Sequence, residues 1–323
     1  MKSNTLKFLS AEDVSDLLPI TDAIDAMRDA FREISSGNAR IPLRTHIDLP
    51  EKNAGALFMP GYLAGPNILG IKIVTLFADN PNENLPFIHA IMVVMNGQTG
   101  EPFAVLDGEQ LTAIRTGAAS GLATDLLARK NAEVLTVFGA GIQGRTQINA
   151  VAAVRTLKQV YIIDTDPAKA NQLTSQLSSI YPFPIVMSDP EQAVSASDII
   201  CTATTSAQPL FLPALVRPGT HINAIGAYQP DKREIPAATV ARALVIVDER
   251  RACLTEAGDL ILAEHEGYIN TNHIAAELGE VVLGKHPGRT SEKQITLFKS
   301  VGNAAQDLAA AAKIIKKLND VEG

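Results

Sequence analysis

Six residues, Gly139-Ala140-Gly141-Ile142-Gln143-Gly144, constrain this chain more than any other stretch, because they follow the apolar run VLTVF and open a segment with helical periodicity. Strand, glycine turn and helix in that order form the first βα unit of a dinucleotide-binding sheet. The first glycine permits the tight turn, the second lets the backbone approach a pyrophosphate, and the third lets helix and strand pack closely, with the helix N-terminus facing the phosphate. Such a motif is weak when it stands alone. It gains force from Asp164, at the end of the next apolar run, about 20 residues beyond Gly144, where a carboxylate would accept the adenosine ribose hydroxyls. A carboxylate there repels the extra phosphate of NADP, so NAD is the expected cofactor. Arg145 and Lys169 lie close by in sequence and keep NADP as the alternative.

Beyond Lys130 the pattern of that unit continues. EVLTVF, QVYIID, FPIVMS, DIICTAT, THINAIG and ALVIVD are short, nearly continuous apolar runs separated by helical stretches such as QINAVAAVRTL and AKANQLTSQLSSI. Continuous apolar character predicts strands buried on both faces, hence a doubly wound parallel α/β domain over residues 128–296. The first part of the chain reads differently. Ser10 caps a short helix, Thr21 or Asp22 opens a second, and its Ile24, Met27, Phe31 and Ile34 share one face until Gly37. LFMPGYL, ILGIKIVTLF, FIHAIMVVM and PFAVLD follow as β-rich runs, with a hairpin-like turn at 96–100. LTAIRTGAASGLATDLLAR predicts a helix rich in small residues. The tail from Ser291 ends in an amphipathic helix that has no strand partner of its own and returns to the first domain. Residues 1–127, completed by 297–323, are thus expected to form a second α/β domain.

The length of 323 residues suits two such domains, and 46% hydrophobic with 20% charged residues is a globular balance. A formal charge of -7 offers no basic stripe to displace counterions from phosphates, which argues against nucleic acid and for a small-molecule partner. Acidic residues occupy the start where a signal peptide needs an apolar core, and no stretch is apolar enough to span a bilayer, so a cytoplasmic protein is expected. Cys201 and Cys253 stand far apart and read as core residues. His265 and His273, near Glu264 and Glu266, show no metal-ligand spacing, so no metal is expected, and His221 reads as a satisfied core histidine.

LTAIRTGAAS, VFGAGIQGRTQ, THINAIGAYQPDKREI and GEVVLGKHPGRTSEKQITLFKSVGNAAQD, in that order and nearly end to end, resemble the ornithine cyclodeaminase/mu-crystallin family. The resemblance implies a Rossmann domain inserted into an α/β substrate-binding and dimerisation domain, a homodimer, and an imino or amino acid as substrate. It implies that Arg44 and Lys72 hold the substrate carboxylate, and a guanidinium's paired hydrogen bonds and an ammonium's mobile proton suit that task. Arg115 resembles a family arginine that binds cofactor phosphate; otherwise it reads as a solvated helical arginine. Gly139, Gly141, Ile142, Gln143, Gly144 and Asp164 match the cofactor turn and ribose acid, Thr202 or Thr204 a strand end along the dinucleotide, and Ile225 and Lys232 the loop near the nicotinamide. Ser300 and Val301 match the stretch returning to the substrate pocket. Asp107, Glu109 and Glu256 are candidates for supporting acids, with turn and cap duties as the plain alternative.

Family members include ornithine and lysine cyclodeaminases, an archaeal type of alanine dehydrogenase, and reductases of cyclic ketimines. Cyclodeaminases carry an acid/base aspartate two residues after the glycine that ends INAIG. Tyr228 stands there in this chain, and a phenol is a poor base at neutral pH. Asp231 is the candidate to replace that aspartate, against a plain reading as a turn-capping loop carboxylate. The pattern is closer to the reductases, in which a hydride moves to or from the carbon of an amino-acid-derived imine. Ornithine cyclisation, and a non-catalytic NAD(P)-binding role, are the alternatives.

Overall fold

Two chemistries of strand, one half-exposed and one buried on both faces, build two sheets. The computed structural model describes residues 6–83 and 85–322. The chain divides into two compact units, 1–115 with 303–323, and 116–302.

The first unit runs β1 (Lys7–Leu9), α1 (Ala11–Leu17), α2 (Ile20–Ser35), β2 (Ala39–Arg40), β3 (Thr45–Leu49), β4 (Ala54–Leu63), β5 (Ile68–Phe77), β6 (Ile88–Asn96) and β7 (Pro102–Asp107). The next helix, α3 (Gly108–Leu127), carries the chain into the second unit. Ser10 caps α1 in a reciprocal capping box with Asp13. Thr21 and Asp22, by contrast, fall inside α2, whose N-cap is Pro19. Proline's fixed φ and missing N–H cost little at a helix start, and no side chain caps α2. Among the described residues the sheet has seven strands in the order β1-β7-β6-β5-β4-β2, with β3 also on β4. β4 to β7 are antiparallel neighbours, and β1 joins β7 in parallel. The turn from β6 to β7 closes through Gly100, whose φ of 75° favours glycine, and through the Asn96 side chain, which accepts from the N–H groups of Gln98 and Thr99.

The second unit continues β8 (Val134–Phe138), α4 (Ile142–Val154), β9 (Gln159–Ile163), α5 (Pro167–Ser178), β10 (Ile185–Met187), α6 (Pro190–Ala196), β11 (Ile199–Thr202), β12 (His221–Ala224), α7 (Ala237–Arg242), β13 (Ala243–Val247), α8 (Arg250–Glu256), α9 (Gly258–His265), β14 (Ile274–Glu277), α10 (Leu278–Val282) and β15 (Ile295–Lys299). Its eight strands are all parallel in the order β10-β9-β8-β11-β12-β15-β13-β14, the doubly wound sheet expected from the apolar runs. Leu135, Val137, Ile148, Val160, Ile162 and Ile199 lie in its core. The chain order reverses between β8 and β11, and ligands of such sheets bind beyond the carboxyl ends of the strands at that switch point.

The tail is where sequence and structure part. ITLFK, not expected as a strand and divided by a boundary at 296, is a fully buried strand between β12 and β13, so the second unit extends to Gly302. The last helix, α11 (Ala304–Glu322), then packs on α2, β4 and β5 of the first unit. A Cβ at Gly61 on β4 would lie 2.9 Å from Ala304 Cβ, so this glycine allows the close approach. Among the described residues, no helix is long and apolar enough to cross a membrane.

Candidate active site

In the first unit, alternation along β5 puts Ile68, Gly70 and Lys72 on its buried face, and α11 brings Asp307 to that face. Lys72 is 2% exposed, and its Nζ donates to Asp307 Oδ1 at 2.9 Å and to Thr112 Oγ1 of α3 at 3.1 Å. Asp307 Oδ1 also accepts from Arg115 Nε at 3.0 Å, while Arg115 Nη1 donates to Gln306 Oε1 at 2.9 Å. Burial pushes the Lys72 pKa down to about 7, Arg115 and Arg44 add repulsion, and Asp307 opposes them. One buried carboxylate therefore faces two cationic groups, Lys72 and Arg115, and Arg44 adds positive charge near Lys72, a setting that suits an incoming carboxylate.

This arrangement separates the expected residues from the unexpected ones. Lys72 and Arg44 share one electrostatic neighbourhood, and Arg44 is half-buried in the segment before β3. Arg115, expected to face a phosphate, instead turns its guanidinium onto Asp307 and Gln306. Asp307, Gln306 and Thr112 escaped the sequence reading. The signal for Asp307 was a lone acid inside an alanine-rich helix, AAQDLAAAA, where solvent exposure was the default expectation. Of the candidate supporting acids, Asp107 accepts from Gln110 N–H at 2.7 Å at the start of α3, Glu109 lies 3.4 Å from His89, and Glu256 ends α8 in the second unit.

In the second unit the glycine turn has the form its spacing predicts. Gly139 has a φ of +100°, and a Cβ there would lie 2.4 Å from Ala203 O; one on Gly144 would lie 1.8 Å from Gly139 O. A Cβ on Gly141 would meet nothing within 4 Å. That open space lies at the N-cap of α4, where no side chain caps the helix and the first turn holds no acid. Gln143 Oε1 is buried without a hydrogen-bond partner. An uncapped helix N-terminus and an open glycine fit a dinucleotide pyrophosphate. Ile142 is 55% exposed beside them.

Asp164 is half-buried at the end of β9. Its two oxygens accept from Ala140 N–H at 2.7 Å and Asp166 N–H at 2.8 Å, so it braces the glycine turn. Arg145 donates to Gln176 at 3.1 Å, and exposed Lys169 lies 3.9 Å from Asp166. Both alternative partners for a 2′-phosphate thus make only exposed, weak contacts here.

Beyond β11 and β12, the hydroxyls of Thr202 and Thr204 donate to buried Glu234 at 2.7 and 2.8 Å, and Ile225 N–H bonds Thr202 O. Tyr228 and Asp231 are exposed on the following loop, and Lys232 is half-buried. Ser300 Oγ and Val301 N–H donate to Asp248 at 2.7 and 3.1 Å. His221 bonds Thr296 and Asn223, and burial takes its pKa down to about 3, as befits a neutral core histidine. Cys201 and Cys253 are buried and unpaired, and burial pushes the Cys201 thiol up to about 12. Among the described residues no cluster of His, Cys, Asp and Glu could hold a metal ion.

With this geometry in view, comparison with known proteins is specific. The profile of the ornithine cyclodeaminase/mu-crystallin family matches residues 5–322. Delta(1)-pyrroline-2-carboxylate reductase of Bacillus cereus (strain ZK / E33L) is 36% identical over 311 residues, 96% of this chain and 95% of that protein. The structure of Thermococcus litoralis Delta(1)-pyrroline-2-carboxylate reductase in complex with NADH and L-proline superposes with a TM-score of 0.93 at 37% identity over 98% of each chain. An archaeal alanine dehydrogenase dimer with bound NAD gives a TM-score of 0.92 at 32% identity, over 98% of this chain and 97% of that one.

Proposed function

The chain belongs to the ornithine cyclodeaminase/mu-crystallin family, and we propose that it reduces a cyclic ketimine, Δ1-pyrroline-2-carboxylate, to L-proline at the expense of NADH. It is an NAD(P)-dependent oxidoreductase acting on the C–N bond of an imino or amino acid. The observation that carries the substrate reading is the buried cation cluster around Lys72 and Asp307.

Arg44 and Arg115 supply fixed positive charge for the substrate carboxylate, and their planar guanidinium groups suit paired hydrogen bonds. Lys72, kept near half-protonated at neutral pH, donates a proton to the imine nitrogen. The nicotinamide, when bound, supplies a hydride to the imine carbon. One proton and one hydride turn C=N into CH–NH, and Lys72 regains its proton from solvent. No nucleophile is required, so the exposed Tyr228 is compatible with this chemistry as it is not with the water activation of a cyclodeaminase. Gly139, Gly141, Gln143 and Gly144 would hold the pyrophosphate and Asp164 the adenosine ribose.

A homodimer is part of this proposal. Ile47, Leu69 and Ile91 are 48%, 37% and 46% exposed on the first sheet, an apolar patch that a second copy would cover. Unpaired cysteines support a cytoplasmic setting.

The test is NADH consumption with Δ1-pyrroline-2-carboxylate, Δ1-piperideine-2-carboxylate, and pyruvate with ammonia. The five-membered ketimine is expected to give the highest kcat/KM. A preference for pyruvate with ammonia would replace this reading with that of an alanine dehydrogenase.

A further inference from the structure

Glu234, Asp259 and Lys299 lie in the second unit, each 0% exposed, and the proposed chemistry uses none of them. Buried charges are expensive unless every oxygen and proton is engaged, so what they bind indicates what they are for. Glu234 Oε1 accepts from the N–H and hydroxyl of Thr204, at 2.7 and 2.8 Å. Its Oε2 accepts from the Thr202 hydroxyl at 2.7 Å and from Gly226 N–H at 2.9 Å. The carboxylate thereby joins the ends of β11 and β12. A Cβ at Gly226 would lie 2.5 Å from both carboxylate oxygens, so only glycine leaves room for this contact.

The other two residues hold the same loop. Asp259 Oδ1 accepts from the N–H groups of Glu234 and Ile235 at 2.7 and 2.8 Å. Lys299 Nζ lies 2.8 Å from Asp259 Oδ2 and donates to Ala227 O at 2.5 Å. Both ends of the loop from Gly226 to Glu234 are thus fastened to buried charge, while Tyr228 and Asp231 between them are exposed. Burial disfavours the Lys299 ammonium, but Asp259, with help from Glu234, outweighs it and holds the pKa above its ordinary value.

The adenosine half of a dinucleotide belongs beyond β8 and β9, on the side of Gly141 and Asp164, and the nicotinamide half beyond β11 and β12. We propose that Glu234, Asp259 and Lys299 form a positioning clasp, which fixes the loop carrying Tyr228 and Lys232 for the nicotinamide half of the cofactor and leaves the adenosine half to the glycine turn. The clasp rests on the dinucleotide reading of this unit but not on the identity of the imine. Its members are positioning residues that act through the loop and the threonines.

Binding separates the two halves, because ADP-ribose carries everything but the nicotinamide. Glu234→Gln presents an amide donor to groups that are themselves donors. It should weaken NADH binding, read from nicotinamide fluorescence, about tenfold or more, while ADP-ribose affinity by calorimetry stays within about twofold. If Glu234→Gln does not fold, the charge-balanced pair Asp259→Asn/Lys299→Met makes the same demand with no net change in buried charge. Equal weakening of both ligands, or of neither, would overturn the clasp alone. A wild-type protein that binds neither ligand would overturn the dinucleotide reading and the clasp with it.

Discussion

Consider Asp307→Asn, which keeps the side chain's shape and removes its charge. The amide oxygen can still accept from Arg115 Nε, but Lys72 Nζ loses a counter-charge 2.9 Å away. Removing one partner of a buried ion pair costs about 3–5 kcal/mol while the remaining charge persists. Lys72 has an escape, because its pKa is already about 7 and it can shed its proton. Asp307 opposes that depression, so its loss drives the value further down, and each further unit is worth about 1.4 kcal/mol. The unfolded lysine titrates near 10.5. Below the folded pKa both states hold the proton and the folded state bears the full penalty. Between the folded value and 10.5 the unfolded chain binds the extra proton, and stability rises with pH. In the variant that rise begins lower and is larger. Its deficit against wild type is therefore greatest in acid, shrinks as pH rises from the variant's lower folded value to about 7, and is level above that at the part owed to Arg115, which stays charged. The chain has no tryptophan, so urea unfolding is best followed by far-UV circular dichroism. The expected deficit is about 3 kcal/mol at about pH 6, smaller by about 1–2 kcal/mol at about pH 9. Equal deficits at the two pH values would refute the electrostatic account, as would one below about 1 kcal/mol in acid.

Four further outcomes are expected. NADH should serve at least as well as NADPH, and Asp164→Ser should move the preference toward NADPH; a native preference for NADPH would show that Arg145 or Lys169 takes the extra phosphate. Arg44→Met and Lys72→Met should each lower kcat/KM for the imino acid about a hundredfold or more, roughly 2–4 kcal/mol, with dinucleotide affinity nearly unchanged, and near-native activity in either would make that residue merely structural. Reductive kcat/KM should decline as pH rises through about 7, where Lys72 loses its proton, and Lys72→Met should abolish that limb; its survival in the variant would assign it elsewhere. Ornithine should not yield proline at a rate comparable to ketimine reduction, and Asp231→Asn should leave that reduction unaltered. Stoichiometric ammonia and proline from ornithine, dependent on Asp231 and without net NADH change, would favour the cyclodeaminase instead.

The parallel sheet was legible because its strands are buried on both faces and so lose the polar alternation that marks an exposed strand. The glycine turn was legible because its sterics admit few other residues. Buried charge was the blind spot. Asp307, Asp259 and Lys299 are fully buried, yet in sequence each looks like an ordinary surface residue, since burial depends on partners distant in the chain: Lys72 lies 235 positions from Asp307. Arg115 was singled out as a candidate for cofactor phosphate, but its direction is set by Asp307 and so could not be read. ITLFK escaped as a strand for a related reason. Its neighbours β12 and β13 are made far earlier, and nothing local announces a partner.

That strand has a bearing on how the protein is born. Chains leave the ribosome N-terminus first, and β12 and β13 emerge with facing edges that have nothing to pair with until residues 295–299 follow. An open inner edge of apolar strand is a template for other chains, so a nascent or truncated product is vulnerable throughout that interval. The segment that closes the gap also brings Lys299, and the helix after it brings Asp307. The buried counter-charges for Asp259, Lys72 and Arg115 thus arrive after the residues they balance, and a polypeptide cut short before them has neither a sealed sheet nor a balanced interior.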